Sequence, residues 1–160
     1  MIELRPEVKK DYAFIEAVYR STREVELNLT NWTEQQKSAF ALMQSMAQLA
    51  EYKTNFPGAV FRVIIFNKRN AGRFYTWEDD IEIRLIDITL LPQFRGKGIG
   101  TALLRDLIKR SDKARKKTSL HVDPLNPAMY LYLRLGFIHI KNNGRHYYME
   151  RKPGLNKSNQ

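Results

Sequence analysis

Residues 81–107 read IEIRLIDITLLPQFRGKGIGTALLRDL, and within this stretch the hydrophobic period changes. The apolar, β-branched run Ile81, Ile83, Leu85, Ile86, Ile88, Leu90 predicts a strand. It meets Pro92, passes through Arg95-Gly96-Lys97-Gly98-Ile99-Gly100, and is followed by Ile99, Leu103 and Leu107 at every fourth position, which predicts a helix. Glycines at alternate positions let the backbone bend tightly and come close to a ligand. The start of the helix leaves N–H groups without intrahelical partners, at the positive end of the helix dipole, so the bend is an anion site.

Strand, glycine loop and helix occur together in several kinds of protein. A nucleoside-triphosphate loop ends in Gly-Lys-Ser/Thr, and Gly100-Thr101 lacks the lysine. A dinucleotide fold requires Gly-x-Gly-x-x-Gly near the start of the chain and an acidic residue about 20 positions later. Here the third glycine falls one place early and the corresponding region is Arg115-Lys116-Lys117. The pattern Arg/Gln-x-x-Gly-x-Gly, carried by Arg95, Gly98 and Gly100 after a strand, resembles the GCN5-related N-acetyltransferase (GNAT) family, whose loop holds the pyrophosphate of acetyl-CoA.

A chain of 160 residues with 43% hydrophobic content is one domain's worth, expected to span 1–152 and to end in a polar tail, 153–160. No apolar run reaches membrane-spanning length, and MIELRPEVKK lacks the apolar centre of a signal peptide, so the expectation is a soluble, cytoplasmic protein. The absence of cysteine excludes disulfides, cysteine–zinc sites and an acyl-cysteine intermediate, so any transfer from a thioester is expected to be direct. The net charge of +10 raises a nucleic-acid reading. Nine basic residues lie between Arg95 and Lys117, against Asp106 and Asp112. A solvated helix face, or attraction of coenzyme phosphates, explains them better than RNA or DNA does, because no recognised nucleic-acid module accompanies the charge.

In chain order, Ile2 and Leu4 suit a short strand ending at Arg5-Pro6, and Ile15, Val18 and Tyr19 mark a first helix. Ser21 to Trp32 has no sustained period and reads as a loop. Thr33 and Gln36 resemble a capping box for a second helix, with Ala39, Leu42, Met43, Met46, Ala47 and Ala50 at helical spacing and the methionines as core filling. Val60 to Phe66 reads as a strand, Asn67 to Gly72 as a turn, Arg73 to Trp77 as a returning strand, and Asp79-Asp80 as a turn into the central strand. After the loop helix, Thr118 to Val122 is a strand parallel to the central one. Asn126-Pro127 starts a helix that Gly136 ends, and Phe137 to Ile140 opens a hairpin turning at Asn142-Asn143-Gly144 into Tyr147-Tyr148-Met149.

The resemblance covers nearly the whole chain. NPAMYLYLRLGF is similar to the Asn-x-x-x-x-Leu-Tyr-x-x-x-Gly-Phe pattern that closes the coenzyme site in bacterial GNAT members, and ELNLTNW and MQSMAQ are similar to a bacterial subgroup for which the match names no substrate. The resemblance implies an α/β fold with a mixed, mostly antiparallel sheet of about seven strands, splayed between the fourth and fifth and flanked by about four helices. It implies acetyl-CoA as acyl donor, no metal, and an N-acetyltransferase acting on a primary amine of a small molecule or peptide. A homodimer stays open, and neither membrane nor nucleic acid is expected as a partner.

Such chemistry needs a base for the amine proton, donors for the developing oxyanion and an acid near the departing thiolate. By resemblance, pantetheine pairs with the backbone at Ile88, Thr89 and Leu90, with the Ile88 N–H as oxyanion donor. The backbone of Gly96, Lys97, Gly98, Ile99, Gly100 and Thr101, following Arg95, cradles the pyrophosphate. Asn126 caps its helix and adds a coenzyme contact, and Tyr132 stands at the family's general-acid tyrosine. Glu82, thirteen residues before Arg95, matches the glutamate base of histone acetyltransferases. His121, five residues before Asn126, falls where some bacterial protein acetyltransferases carry a glutamate. Glu82 ranks slightly ahead of His121, either acting directly or through a water, with Asp87 third. Acceptor selection in the family comes from the loop after the first helix and the last hairpin, here about Thr22 to Trp32, with Glu24 and Glu26, and Lys141 to Tyr148.

Overall fold

The computed structural model describes residues 1–154. They form two compact units, Met1–Tyr75 with Asp87–Lys97, and Thr76–Ile86 with the residues from Gly98 onward. Seven strands, β1 (Ile2–Pro6), β2 (Val60–Phe66), β3 (Arg69–Glu78), β4 (Glu82–Leu90), β5 (Lys117–Val122), β6 (Ile138–Asn142) and β7 (Tyr147–Arg151), take the order β1-β2-β3-β4-β5-β7-β6. This is the mixed sheet expected, with four helices, α1 (Tyr12–Asn28), α2 (Glu34–Asn55), α3 (Ile99–Ala114) and α4 (Ala128–Arg134).

In the first unit β1 pairs antiparallel with β2, from Ile2 opposite Phe66 to Pro6 opposite Arg62. Helix α1 runs through Asn28, so most of the expected loop 21–32 is helix. Its later turns lack an apolar period because they are held by other means. The Ser21 and Thr22 hydroxyls donate to the carbonyls of Val18 and Tyr19, both at 2.6 Å, Arg20 pairs with Glu24 and Arg23 with Glu26, and Leu27 is buried. Helix α2 begins at the expected capping box: the Thr33 N–H donates to Gln36 Oε1 at 2.9 Å, and Thr33 Oγ1 accepts from the Gln36 N–H at 3.2 Å.

The burial of α2 is the reverse of the reading from its apolar positions. Leu42, Met43 and Met46 are 44%, 59% and 63% exposed, whereas Ala41 and Ser45 are buried. The reason lies in what the helix covers. Gln48 and Tyr52 turn inward to a buried arginine and aspartate of the strands, so the inward stripe is polar and the methionines face out. The turn between β2 and β3 is also shorter than expected. Asn67 and Lys68 both have positive φ (48° and 67°), the signature of a two-residue hairpin turn that follows the strand twist, and β3 starts at Arg69.

In the second unit β4 and β5 are parallel, in register from Glu82 opposite Lys117 to Leu85 opposite Leu120. Strand β4 runs on to Leu90 beyond the end of that ladder. Asp79 Oδ1 accepts the N–H groups of Ile81 and Glu82, both at 2.8 Å, and so starts the strand. Helix α3 buries Ile99, Leu103, Leu104, Leu107 and Ile108, the stripe its period announced, and Thr118 of β5 donates to its Ser111 Oγ at 2.8 Å. Strand β7 lies between β5 and β6, antiparallel to both. The Gly154 N–H is held by Asp112 Oδ1 at 2.9 Å, and residues 155–160, the rest of the tail expected from Pro153, lie outside the described residues. Among the described residues no helix is long and apolar enough to cross a membrane.

Candidate active site

The bend after β4 is built by a 3-10 turn at Pro92–Phe94, anchored by buried Phe94, with Arg95 Nε donating to the Leu90 carbonyl at 3.1 Å. Gly96 and Gly98 then adopt φ of +72° and +80°, a region that side chains with a Cβ avoid. A Cβ at either glycine would meet no atom within 4 Å, so the bend faces open space. Gly98 caps α3, and the first helical bond runs from the Ala102 N–H to the Gly98 carbonyl at 3.1 Å. The N–H groups of Ile99, Gly100 and Thr101 precede that bond, no acidic residue occupies the first turn, and Arg95 and Lys97 are exposed. A glycine-capped helix start with no acidic residue in its first turn suits an anion such as a phosphate.

In the first unit, Ile88, Thr89 and Leu90 are half-buried. Gly72 of β3 passes so close to β4 that a Cβ there would collide with the Thr89 carbonyl oxygen. Asp87 is fully engaged. Its Oδ2 accepts from Arg73 Nη2 at 2.7 Å and from the Tyr52 hydroxyl at 3.0 Å, while its Oδ1 accepts from Thr89 Oγ1 at 2.6 Å. Arg73 also donates to Gln48 Oε1 at 2.8 Å, and its guanidinium lies 5.4 Å from the centre of the Tyr75 ring. The carboxylate ranked third as a base is therefore bound to a buried cation. Burial and the neighbouring Asp87 charge push the Tyr52 hydroxyl well above its ordinary value, so Tyr52 acts there as a neutral donor.

In the second unit, β4 and β5 bring Glu82 and His121 into one chain of contacts. Ser119 Oγ, fully buried, donates to Glu82 Oε2 and accepts from Arg84 Nε at 2.7 Å. Arg84 Nη1 donates to His121 Nδ1 at 2.9 Å. Strand β7 adds Tyr148 opposite His121 and Glu150 opposite Ser119. Glu150 Oε2 accepts from the Tyr148 hydroxyl at 2.5 Å and from Lys117 Nζ at 2.7 Å, and the Lys117 bond in particular holds its carboxyl below the usual range. Burial, with the charges of Arg84, His146 and Lys141, lowers the His121 pKa. Asn126 Oδ1 accepts the Ala128 N–H at 2.9 Å, the cap expected, and Tyr132 is buried with its ring 5.8 Å from that of Phe137.

Sequence reasoning had not singled out Ser119, Arg84, Arg73, Tyr52 or Gln48. The available signal was a charged residue inside an apolar strand, Arg84 in IEIRLID and Arg73 in β3, since a buried guanidinium requires partners. Glu24 and Glu26 lie on α1, paired with Arg20 and Arg23, and not in a loop.

A sequence model of the Acetyltransferase (GNAT) family matches residues 16–137. The chain belongs to that family. Members of the GNAT family use acetyl-CoA and an amine acceptor, and acetyl transfer is the general chemistry of this one. Solved structures share the fold. One is PaiA N-acetyltransferase from Thermoplasma acidophilum in complex with coenzyme A, at 19% identity over 95% of this chain and 99% of that one, with a TM-score of 0.67. A protein from Pyrococcus horikoshii is 20% identical over 97% and 100% of the two chains, with a TM-score of 0.69. An acetyltransferase from Thermus thermophilus is 16% identical over 95% and 97%, with a TM-score of 0.66. Among curated proteins there is no match.

Proposed function

We propose that this GNAT protein transfers an acetyl group from acetyl-CoA directly to a primary amine, with donor and acceptor bound together. The observation that supports it most is the bend from Gly96 to Thr101, two glycines at positive φ opening onto space and running into the bare start of α3. In this reading the backbone amides from Gly96 to Thr101 bind the diphosphate, and Arg95 and Lys97 add charge. The backbone at Ile88, Thr89 and Leu90 lines up the pantetheine arm, and the Ile88 N–H donates to the thioester oxygen. Asn126 adds a contact beside its capping bond.

Tyr132 gives its proton to the departing thiolate; a phenol's ordinary pKa of about 10 lies above a thiol's of about 8.5, so the transfer is slightly uphill and needs the two within hydrogen-bond reach. Glu82 takes the amine proton, directly or through a water. His121 is the weaker base because of its bond to Arg84. Arginine only donates, so Nδ1 accepts, the ring hydrogen sits on Nε2, and the neutral imidazole has no lone pair left to offer.

The test is thiol release with a broad amine panel, beside thermal stabilisation by acetyl-CoA. Tyr132→Phe and Glu82→Gln are expected to lower kcat by on the order of a hundredfold while keeping the stabilisation. Stabilisation with no thiol release from any amine would replace this reading with a coenzyme-binding regulator.

A further inference from the structure

The side chains along β5 are polarised over one short interval. At the level of Lys117 and Ser119 stand two carboxylates, Glu82 held by Ser119 and Glu150 held by Lys117 and Tyr148. Two residues on, the groups whose charge bears on His121 are all basic: Arg84, His146 and Lys141. Tyr148 gathers Arg84 and Lys141 around His121. The Arg84 guanidinium lies 5.2 Å from its ring centre, the Lys141 ammonium 5.6 Å, and the His121 ring 5.1 Å. Arg84 is 9% exposed, so its charge is set in the wall and works at short range. His121 presents Nε2–H on the side of the ring away from Arg84, while Lys141 and His146 are exposed.

We infer that this end of the sheet face binds an anionic group, a carboxylate or phosphate, carried by the acceptor whose amine lies toward Glu82. The inference rests on the acetyl-transfer reading above and narrows its acceptor to amino acids or aminoalkyl phosphates, as opposed to polyamines. The interval agrees in size. Two strand residues span about 6.6 Å, which an amine and an anion separated by two or three carbons cover when each reaches its partner through a hydrogen bond of about 3 Å. A polycation would set a second ammonium against Lys141 and Arg84.

Matched pairs test it: O-phosphoethanolamine against ethanolamine, and β-alanine against its primary amide, with spermidine as the polycation. Binding is measured by calorimetry on the full chain with coenzyme A present, so that no turnover occurs. The anionic member of at least one pair is expected to bind about tenfold tighter than its neutral partner, and the Lys141→Gln/His146→Gln double variant to lose most of that preference. Preference within the first pair assigns the site to phosphate, within the second to carboxylate. Equal binding within both pairs, no binding by any, tighter binding of spermidine, or a preference unchanged in the variant would overturn the inference. Thiol release with acetyl-CoA reads the transfer step separately. Paired preference without thiol release keeps the anion site and removes the transferase reading, whereas thiol release without preference does the opposite.

Discussion

Arg84 donates from Nη1 to Nδ1 of His121 at 2.9 Å, and this bond sets both the tautomer and the charge of the imidazole. Burial acts in the same direction, as do Lys141 and His146, so the folded protein disfavours the charged ring. His121 should therefore titrate below the ordinary histidine value of about 6.5, with its hydrogen on Nε2 when neutral. The sign for stability follows. The unfolded state binds the proton more readily, so this contribution is present above about 6.5 and is lost as pH falls through the window down to the lowered folded value. NMR titration of the ring checks both statements, and Lys141→Gln should move the midpoint upward. A midpoint at or above 6.5 in the parent protein would contradict the arrangement.

Gly98→Ala should separate folding from coenzyme binding. A Cβ there meets no atom within 4 Å, so the penalty is the left-handed backbone alone, about 1 to 2 kcal/mol. The variant is expected to fold with a modestly lower Tm and to lose most of its stabilisation by acetyl-CoA. Circular dichroism melts with and without the coenzyme measure the two effects.

Gly72→Ala should behave differently, because its Cβ runs into the Thr89 carbonyl and not into space. Separating β3 from β4 is expected to cost roughly 1 to 3 kcal/mol, as overpacked sites do. If the backbone at Thr89 receives the pantetheine arm, coenzyme affinity falls as well. Urea unfolding gives the first number, and calorimetry with coenzyme A the second.

Arg73 and Asp87 form an ion pair at 2.7 Å with side chains 4% and 11% exposed. Removing one partner leaves the other buried without its counter-charge, which typically costs about 3 to 5 kcal/mol. Arg73→Met should therefore destabilise strongly in urea, and the Arg73→Met/Asp87→Leu double variant should recover a good part of the loss. Additive losses would show that the pair does not act as a unit.

The sequence is most legible where neighbouring residues make the decision. The Thr33 and Gln36 cap, the Asn126 cap and the α3 stripe of Ile99, Leu103 and Leu107 all depend on separations of four residues or fewer, and all stand as expected. The fold class followed from the family resemblance that Arg95, Gly98 and Gly100 carry together with NPAMYLYLRLGF. What could not be read was which side of a helix faces in. The α2 period was real, yet Met43 and Met46 point out because Arg73 and Asp87, at least 25 residues away from Gln48, claim its polar side. For the same reason nothing local in the strand Thr118 to Val122 marks Ser119, whose hydroxyl bonds to Glu82 and Arg84 of β4.

The position of β7 beside β5 has a consequence for biosynthesis. Tyr148 and Glu150 come from the last strand described, and they border His121 and Ser119. A ribosome that has released everything through α4 has made the glycine bend and Tyr132, but none of the wall that Tyr148 supplies. Translation must proceed past Arg151 before Tyr148 and Glu150 can stand beside His121 and Ser119, so on the acetyl-transfer reading fragments truncated after α4 should discriminate less among amines than the longer chain does.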